Sequence, residues 1–598
     1  RGRMLRGSLL LLFILSSLSA ERYDEELTVS RLPTGNILSH FRFVVSDVAS
    51  KLTDDTYLFP PIMSDIVKKY GLSELSLTLG RGNWLSTKWG IPPQPATSQG
   101  ATITAWLDDA KNDTEVDDRW SHLVTSLNGI FCTSLSAMYP AHSVKLNGEG
   151  KGRQWKEGVR QGRHGAIAEE TVCTENLTPW RKLLPCKKTG LVSLLNPLRL
   201  YDSLFHSISL HLLLHCIDEK CLTPTWRLSL DATVVFDIRL RDRALDWSFE
   251  RLFGRSISGH CPVADSTTLL VNDDYYTPLF DRPANATKIH SGRTFHVFDI
   301  SSSSGNEVVH YKEKKVEVDN RILTESISVT AFLVGGEATR TGHIEYLVSR
   351  EGGSPTSTIL SSLSIMIPWY AEIHYGSVSI TCVSQGQKYD GLISRRFIPS
   401  LARKRPASID YRFELRGDSQ CTVSMMYDRV FMRMSEYPSD ANHGKYIPPA
   451  HLRIIDTSSH QSIIPGDEKA LATKSDSSSS SISLYSRPIL ITLPVPDFSM
   501  PFNVEAFVCV VISLCFTPLL NITAYIMMPV GPKPPRPSRS RRAFRVFLYI
   551  LTALALYAEM NQISPSQLMR YGRAAVNTVV KSAMDTVAPI NHTMQITE

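Results

Sequence analysis

Cysteines have the strongest claim to chemistry in this chain. The stretch Thr171-Val172-Cys173-Thr174-Glu175-Asn176-Leu177-Thr178-Pro179-Trp180-Arg181-Lys182-Leu183-Leu184-Pro185-Cys186 sets two thiols at either end of a polar segment. Cys173 follows a strand-like run and precedes a polar turn, which points to an exposed thiol. Residue physics alone favours an internal bridge to Cys186. The chain holds ten cysteines. Cys509 and Cys515 lie in an apolar block, leaving Cys132, Cys173, Cys186, Cys216, Cys221, Cys261, Cys382 and Cys421. An even number permits four internal bridges, and the connectivity cannot be read from spacing. Cys216 and Cys221 are near enough to pair locally. No CxxC occurs, so thioredoxin-like and zinc-ribbon readings have no footing.

Other chemistry is thinly represented. There is no GxSxG elbow, HExxH, HxE with PCxxC, or Walker loop. Asp108-Asp109, Asp117-Asp118 and Asp273-Asp274 are acidic pairs of a kind that can bind metal. The second pair falls in the first turn of an expected helix, where the helix dipole already accounts for it. The 17 histidines show no ligand spacing. Residues 140–165, with Gly148-Glu149-Gly150-Lys151-Gly152, lack a phosphate-loop pattern and read as a surface loop. We expect no catalytic residue, metal or cofactor. Sequons at Asn112, Asn176 and Asn285 are candidate glycosylation sites, whereas Asn521 falls in the apolar block and should stay bare.

That block fixes where the thiols work. Ala506 to Met528 is 23 residues without a charge, which as a helix spans roughly 34 Å, enough for a bilayer core. A buried core helix is the alternative. Lys533 to Arg542 follows with five basic residues and no acidic one. Positive flanks stay cytoplasmic, so the bulk of the chain belongs in a lumen or outside the cell, where disulfides form. Met4-Leu5-Arg6, the greasy Leu9–Leu15 run and Ser17-Leu18-Ser19-Ala20 read as a signal peptide over 1–20. From Gly531 onward nine Lys/Arg face three Asp/Glu, a surplus of six that equals the whole +6, so residues 1–530 sum to zero. A nucleic-acid partner is therefore not expected.

The positioning elements read as mainly β: antiparallel β-sandwich domains, a smaller α/β N-terminal portion and a C-terminal transmembrane helix. Residues 57–71 predict a short helix between Pro61 and Gly71. Val116, Trp120, Leu123, Val124, Leu127, Phe131 and Leu135 predict an amphipathic helix. Leu75, Leu77 and Leu79 predict a half-buried strand. Trp84 and Trp89 read as core plugs. After residue 190, short alternating runs predict strands at Phe205–Leu214, Trp226–Phe236, Thr294–Ile300, Ile327–Val334, Ile344–Val348, Ile365–Tyr370, Ser377–Val383, Ile409–Leu415 and Thr422–Met426. The expected division is 21–190 for the N-terminal portion, 191–502 for the sandwich region, 503–528 for the anchor and 529–598 for a basic cytosolic tail. Val546 to Ala558 is short for a span and reads as an interfacial helix, with a second membrane crossing as the alternative.

With these residues in view the chain resembles the PIG-T family, the T component of the glycosylphosphatidylinositol (GPI) transamidase complex. The Cys173–Cys186 stretch carries the resemblance. So do Gly129-Ile130-Phe131-Cys132-Thr133-Ser134-Leu135, Glu436-Tyr437-Pro438 with Asn442-His443-Gly444, and Leu493-Pro494-Val495-Pro496-Asp497-Phe498-Ser499-Met500-Pro501-Phe502-Asn503-Val504. It spans the chain to about residue 528; the tail departs from it.

The resemblance implies a single-pass type I protein of the endoplasmic reticulum membrane, itself without catalysis. Its complex cuts a C-terminal signal from a proprotein and joins the new carboxyl to the GPI ethanolamine amine. The catalytic partner implied is a caspase-like cysteine protease, PIG-K, linked by an intermolecular disulfide through Cys173. The other implied partners are PIG-S, PIG-U, the GPI attachment protein subunit, the GPI lipid and the proprotein. That pairing displaces the internal Cys173–Cys186 bridge and leaves seven lumenal thiols, so another should be free or intermolecular. Asp497, Ser499 and Asn503, with Asn442, are candidate contacts to the GPI headgroup; the bland alternative is that they cap the anchor. The rival functions are a lumenal glycan-processing enzyme of GPI assembly and a lectin-like cargo receptor.

Overall fold

The computed structural model describes residues 21–49, 52, 56–110, 112–146, 159–170, 172–216, 224–237, 247–272, 276–279, 284–290, 293–300, 310–313, 325–335, 341–353, 357–438, 443–455, 481–494, 499–527 and 544, 546, 548 and 549. The signal-peptide segment and nearly all of the tail lie outside them. The fold is mainly β, as the sequence predicts. One compact unit runs to Val495 and a second begins at Pro496.

The first body is an eleven-stranded sheet. Its strands are β1 (Arg22–Arg31), β2 (Ile37–Ala49), β3 (Leu72–Arg81), β4 (Gly100–Ala110), β5 (Ser143–Lys145), β6 (Val159–Ile167), β7 (Phe205–Cys216), β8 (Pro224–Phe236), β9 (Ser266–Asn272), β10 (Ala286–His290) and β11 (Arg293–Asp299). The order is β10-β11-β9-β1-β2-β8-β7-β3-β4-β6-β5, antiparallel except for β1 beside β9. Residues 205–299 thus complete the sheet begun by residues 22–167. Strands on either side of the expected division at residue 190 therefore pair in one sheet.

Helices cover one face of that sheet. The first, α1 (Pro61–Tyr70), starts on a proline and stops at Gly71 with φ 63°, a left-handed cap that glycine adopts without strain. The second, α2 (Asp113–Phe131), is capped by the Asn112 side chain accepting from the Glu115 N–H at 2.8 Å. It buries Val116, Trp120, Leu123, Val124, Leu127 and Phe131, the predicted stripe. Trp89 joins a small core with Phe205 and Val235, and Trp84 packs edge-on to it at 5.2 Å, so both tryptophans act as plugs.

The expected surface loop over 140–165 is corrected where it is described. Val159–Ile167 is a strand, and its glycines lie under indoles: a Cβ on Gly162 would meet Trp106 at 3.0 Å, and one on Gly165 would meet Trp120 at 3.1 Å. Glycine here marks close packing, not a loop.

The second body is a sandwich. One sheet runs β12-β13-β19-β15-β16, from Glu325–Val334, Thr341–Gly352, Ser419–Arg429, Ser379–Ser384 and Gln387–Tyr389. The other runs β17-β18-β14-β20-β21, from Leu392–Ile398, Ala407–Arg416, Thr358–Ile367, His451–Ile454 and Ile482–Tyr485. Ile344, Tyr346, Val348 and Val423 of one sheet meet Leu363, Ile365, Ile409 and Phe413 of the other in a shared core. Cys382 and Cys421, register partners on β15 and β19, form a disulfide.

The second unit contains helix Ser499–Met527. Within it Asn503–Ala524 is long and apolar enough to cross a membrane, and none of that span is buried.

Two buried polar contacts govern assembly of the body. On the face of the first sheet away from the helices, Arg42 Nε donates to Asp231 at 2.7 Å, and both side chains are about 6% exposed. Burial pushes the Asp231 carboxyl up, but Arg42, His40 and His211 bring it below its ordinary value. Arg42 also donates to the Gln94 carbonyl at 2.8 Å. The Gln94 side chain in turn donates to the Ser483 carbonyl at 3.1 Å and accepts from its N–H at 3.0 Å. One chain of hydrogen bonds therefore runs from β8 and β2 of the first sheet to β21 of the second body.

On β1, Glu25 accepts from the Tyr23 hydroxyl at 2.9 Å and the Leu191 N–H at 3.0 Å. Burial pushes its carboxyl up to about 7, against the lowering pull of those two donors.

Arg42→Met, which takes the guanidinium from buried Asp231 and leaves it only Ser229 and the neighbouring histidines, should lower stability by about 3 kcal/mol in thermal unfolding. Adding Asp231→Leu should recover most of the loss. Glu25 gives a pH signature. Its folded pKa lies above the unfolded value, so its stabilisation is full below about pH 4.5 and is lost as pH rises through about 7. Glu25→Gln should remove on the order of 3 kcal/mol of pH-dependent stability between pH 4 and 8.

Candidate functional site around Cys173

The segment after Cys173 is a helix, α3 (Thr174–Lys182), and not the expected turn. Its charges suit the dipole, with Glu175 in the first turn and Arg181 and Lys182 in the last. Cys173 is the N-cap residue, and its backbone N–H donates to Asn176 Oδ1 at 2.8 Å. This is the reach-back half of a capping box, with asparagine in the place of the usual acid.

Asn176 also joins two helices. It is fully buried, and its Nδ2 donates to the Phe131 carbonyl at 2.8 Å and the Cys132 carbonyl at 3.0 Å. These carbonyls end α2, where the helix leaves acceptors unfilled. Cys132 itself sits in the left-handed region, φ 51°, as the C-cap of that helix. One carboxamide thus fixes the backbone of Cys173 against that of Cys132. Both thiols are unpaired; Cys132 is exposed and Cys173 half-buried.

The rest of α3 is anchored twice more. Trp180 is buried, donates from Nε1 to the Ser209 carbonyl at 2.9 Å and packs edge-on to Phe43 at 6.2 Å. Beyond the helix, Cys186 is buried and bonded to Cys261, with Cα atoms 6.0 Å apart. That corrects the internal Cys173–Cys186 pairing that residue physics alone favours: Cys186 is committed elsewhere, and Cys173 is left available. The local Cys216–Cys221 pairing falls outside the described side chains.

Among the described residues, two titratable groups around Cys173 are shifted away from neutral pH. The buried Tyr201 hydroxyl is pushed up by burial and by the nearby Cys173 sulfur. Edge-on to Tyr201 at 4.7 Å is His206, which burial lowers to about 4. An imidazole of that basicity is a poor general base at neutral pH. The arrangement presents a held thiol suited to forming a disulfide.

The remaining candidates are scattered. Asn112 and Asn285 are exposed and open to a glycan. Asn176 is corrected as a glycosylation site, because its Nδ2 is buried and donates twice within the chain. Asp108 accepts from Ser73 Oγ at 2.9 Å, and Asp117 holds Arg163 at 2.8 Å, so each is engaged with protein partners. Asp273 and Asp274 lie outside the described residues. Among those described, Glu25, Cys186 and Cys261 are the group spaced like metal ligands, and the disulfide consumes both sulfurs. Asn442 and Asp497 lie outside the described residues, as does the Ser499 side chain; Asn503 is exposed in the first turns of its helix. Sequence reasoning missed Asn176 as the tie between helices and Glu25 as a buried acid; the asparagine three residues after the N-cap was the one readable signal.

Comparison with known proteins adds the family. A family model described as the Gpi16 subunit, GPI transamidase component, matches residues 8–245 and 241–534. The GPI-anchor transamidase component PIGT of Mus musculus is 30% identical over 83% of this chain and 88% of its own length. That of Homo sapiens is 28% identical over 83% and 89%. The GPI transamidase component GPI16 of Saccharomyces cerevisiae is 24% identical over 85% and 89%. The match runs through both β bodies and into the apolar helix, so the chain belongs to the Gpi16 family of GPI transamidase components.

Proposed function

We propose that this chain is a non-catalytic scaffold of the GPI transamidase, held in the endoplasmic reticulum membrane by the Asn503–Ala524 span, with its β body in the lumen. It is joined by a disulfide from Cys173 to the caspase-like subunit that performs the transamidation. One observation carries this reading: Cys186 is bonded to Cys261, while Cys173 stays unpaired at the N-cap of a helix anchored by Asn176 and Trp180. A thiol on so firm a support loses little further freedom when it bonds to a second protein. Once the link is made, the remaining contacts act as intramolecular ones, at effective concentrations of roughly millimolar. The scaffold thereby holds the protease near lipid-borne substrates. Asp497, Ser499, Asn503 and Asn442 remain our candidates for contact with the GPI headgroup, with Asp497 attracting the ethanolamine amine.

Cys173→Ser should abolish a higher-mass adduct with the protease subunit on non-reducing gels, and Cys132→Ser should leave it. If the adduct survives Cys173→Ser, or vanishes only in Cys132→Ser, the assignment fails. Asp497→Ala and Asn503→Ala should reduce GPI attachment of a reporter proprotein while assembly, read by co-purification, stays intact. Unchanged attachment removes the headgroup role.

A further inference from the structure

Beside the Gln94 contact the polar faces of the two β bodies stand apart. A cavity of about 420 Å³ opens between Thr104, Trp106 and His164 of the first sheet and the outer face of the β17–β21 sheet. A second, of about 390 Å³, shares Lys145, Arg396 and Ser408 with it. Together they form a cleft of ligand size.

Strand register lays its floor in two rows. One row runs Arg396, Asp410, Ser364, His451, Tyr485 across β17, β18, β14, β20 and β21. Its cation has an acid as cross-strand neighbour. The other row runs Ser394, Arg412, Ser362, Arg453, Ser483 on the same five strands. It holds two cations and no anion. Arg412 and Arg453 flank Ser362 from either side, about 10 Å apart at two strand spacings. Arg412 and Arg453 are both exposed and both line the cavity, and side chains of that length can span such a gap to a single anion above the serine. Among the described residues, neither guanidinium has an acidic partner. The acids on the opposite wall are engaged: Glu74 lies 3.7 Å from Arg160, and Asp117 holds Arg163.

Aromatic and neutral polar groups surround the pair. His451 stacks on Tyr485 at 4.8 Å, and Arg160 lies over the Trp106 ring at 5.0 Å. His164, opposite, is bonded to Thr104 Oγ1 at 2.9 Å and kept neutral by burial, which lowers it to about 4. Such walls suit a polyhydroxylated or apolar body attached to the charged group, and not a bare ion.

We propose that the Arg412–Ser362–Arg453 row binds the phosphate of an organic phosphate ester. The two guanidiniums take its non-bridging oxygens, the Ser362 hydroxyl donates to one of the phosphate's oxygens, and the ester's organic part lies along Trp106 and Tyr485. The inference is independent of how Cys173 is paired. The ester could be a soluble sugar phosphate, a monoester, or the headgroup of a phospholipid, a diester; both present an anionic phosphate with at least two non-bridging oxygens.

Calorimetric titration of the full chain in neutral detergent tests this, with mannose 6-phosphate and dihexanoyl phosphatidylinositol as probes. Saturable binding is expected for at least one probe, falling with added salt. Tighter binding of the lipid assigns the headgroup as source, and tighter binding of the sugar phosphate assigns the soluble ester. Arg412→Gln and Arg453→Gln should each weaken binding about tenfold, the loss of one charge-assisted hydrogen bond. Arg395→Gln, one residue from Arg396 and outside both rows, should change nothing, and all three variants should keep the wild-type melting temperature. Equal affinity in wild type, Arg412→Gln and Arg453→Gln overturns the proposal, as does the absence of saturation at millimolar probe.

Discussion

The large sheet has two faces and only one is covered by helices. The other carries Arg42, Asp231, His40, His211 and rows of serine and threonine, groups that cost several kcal/mol each to bury without partners. Their burial depends on what the second body offers. Gln94 makes the junction by presenting its side-chain amide to Ser483 as a neighbouring strand would present its backbone, donating once and accepting once. Because its own carbonyl accepts from Arg42, the ion pair on the first sheet and the edge region of the sandwich are parts of one network. The pair adds little net stability by itself. Its value lies in direction: it sets which strand of the sandwich faces which row of the sheet, and so leaves the adjoining cleft open.

The thiol is positioned by the opposite face of the same sheet. Helix α3 lies over β7 and β2, pinned at Trp180, and its two ends are fixed by different means. The N-terminal end is tied to α2 through Asn176, and the segment beyond the C-terminal end is tied by the Cys186–Cys261 bond beside Glu25. A reactive group on a loop would move with the loop; at an N-cap it moves with the helix, and here the helix moves with the sheet. That hierarchy, from sheet to helix to cap, suits a protein whose proposed task is to hold a neighbour.

Much of this was legible from the chain. The Val116–Phe131 stripe, the Pro61 and Gly71 stops and the alternating runs after residue 190 name their elements because local periodicity and the buried face coincide. Residue physics paired Cys173 with Cys186, and the family resemblance pointed away from that pair; Cys186 is bonded to Cys261 and Cys173 is unpaired. What could not be read was long-range. The pairing of β1 with β9 joins residues more than two hundred positions apart, and no local pattern reports it. The glycines of β6 imitate a loop, since their reason is the indole above each one. Asn176 reads as a sequon because the motif is three residues long, whereas its burial depends on the end of another helix. The Arg412–Ser362–Arg453 row needs three strands in register before it exists.

Asn176 has a consequence for biogenesis. Its motif is legible to the glycosylation machinery only while the chain is open, and the finished fold hides the nitrogen that would be modified. A sugar added early could not be accommodated: the bulky adduct would hold α2 and α3 apart and leave the Cys173 cap unmade. The sequon and the tie between the two helices thus compete for one nitrogen, and the folded chain gives it to the tie.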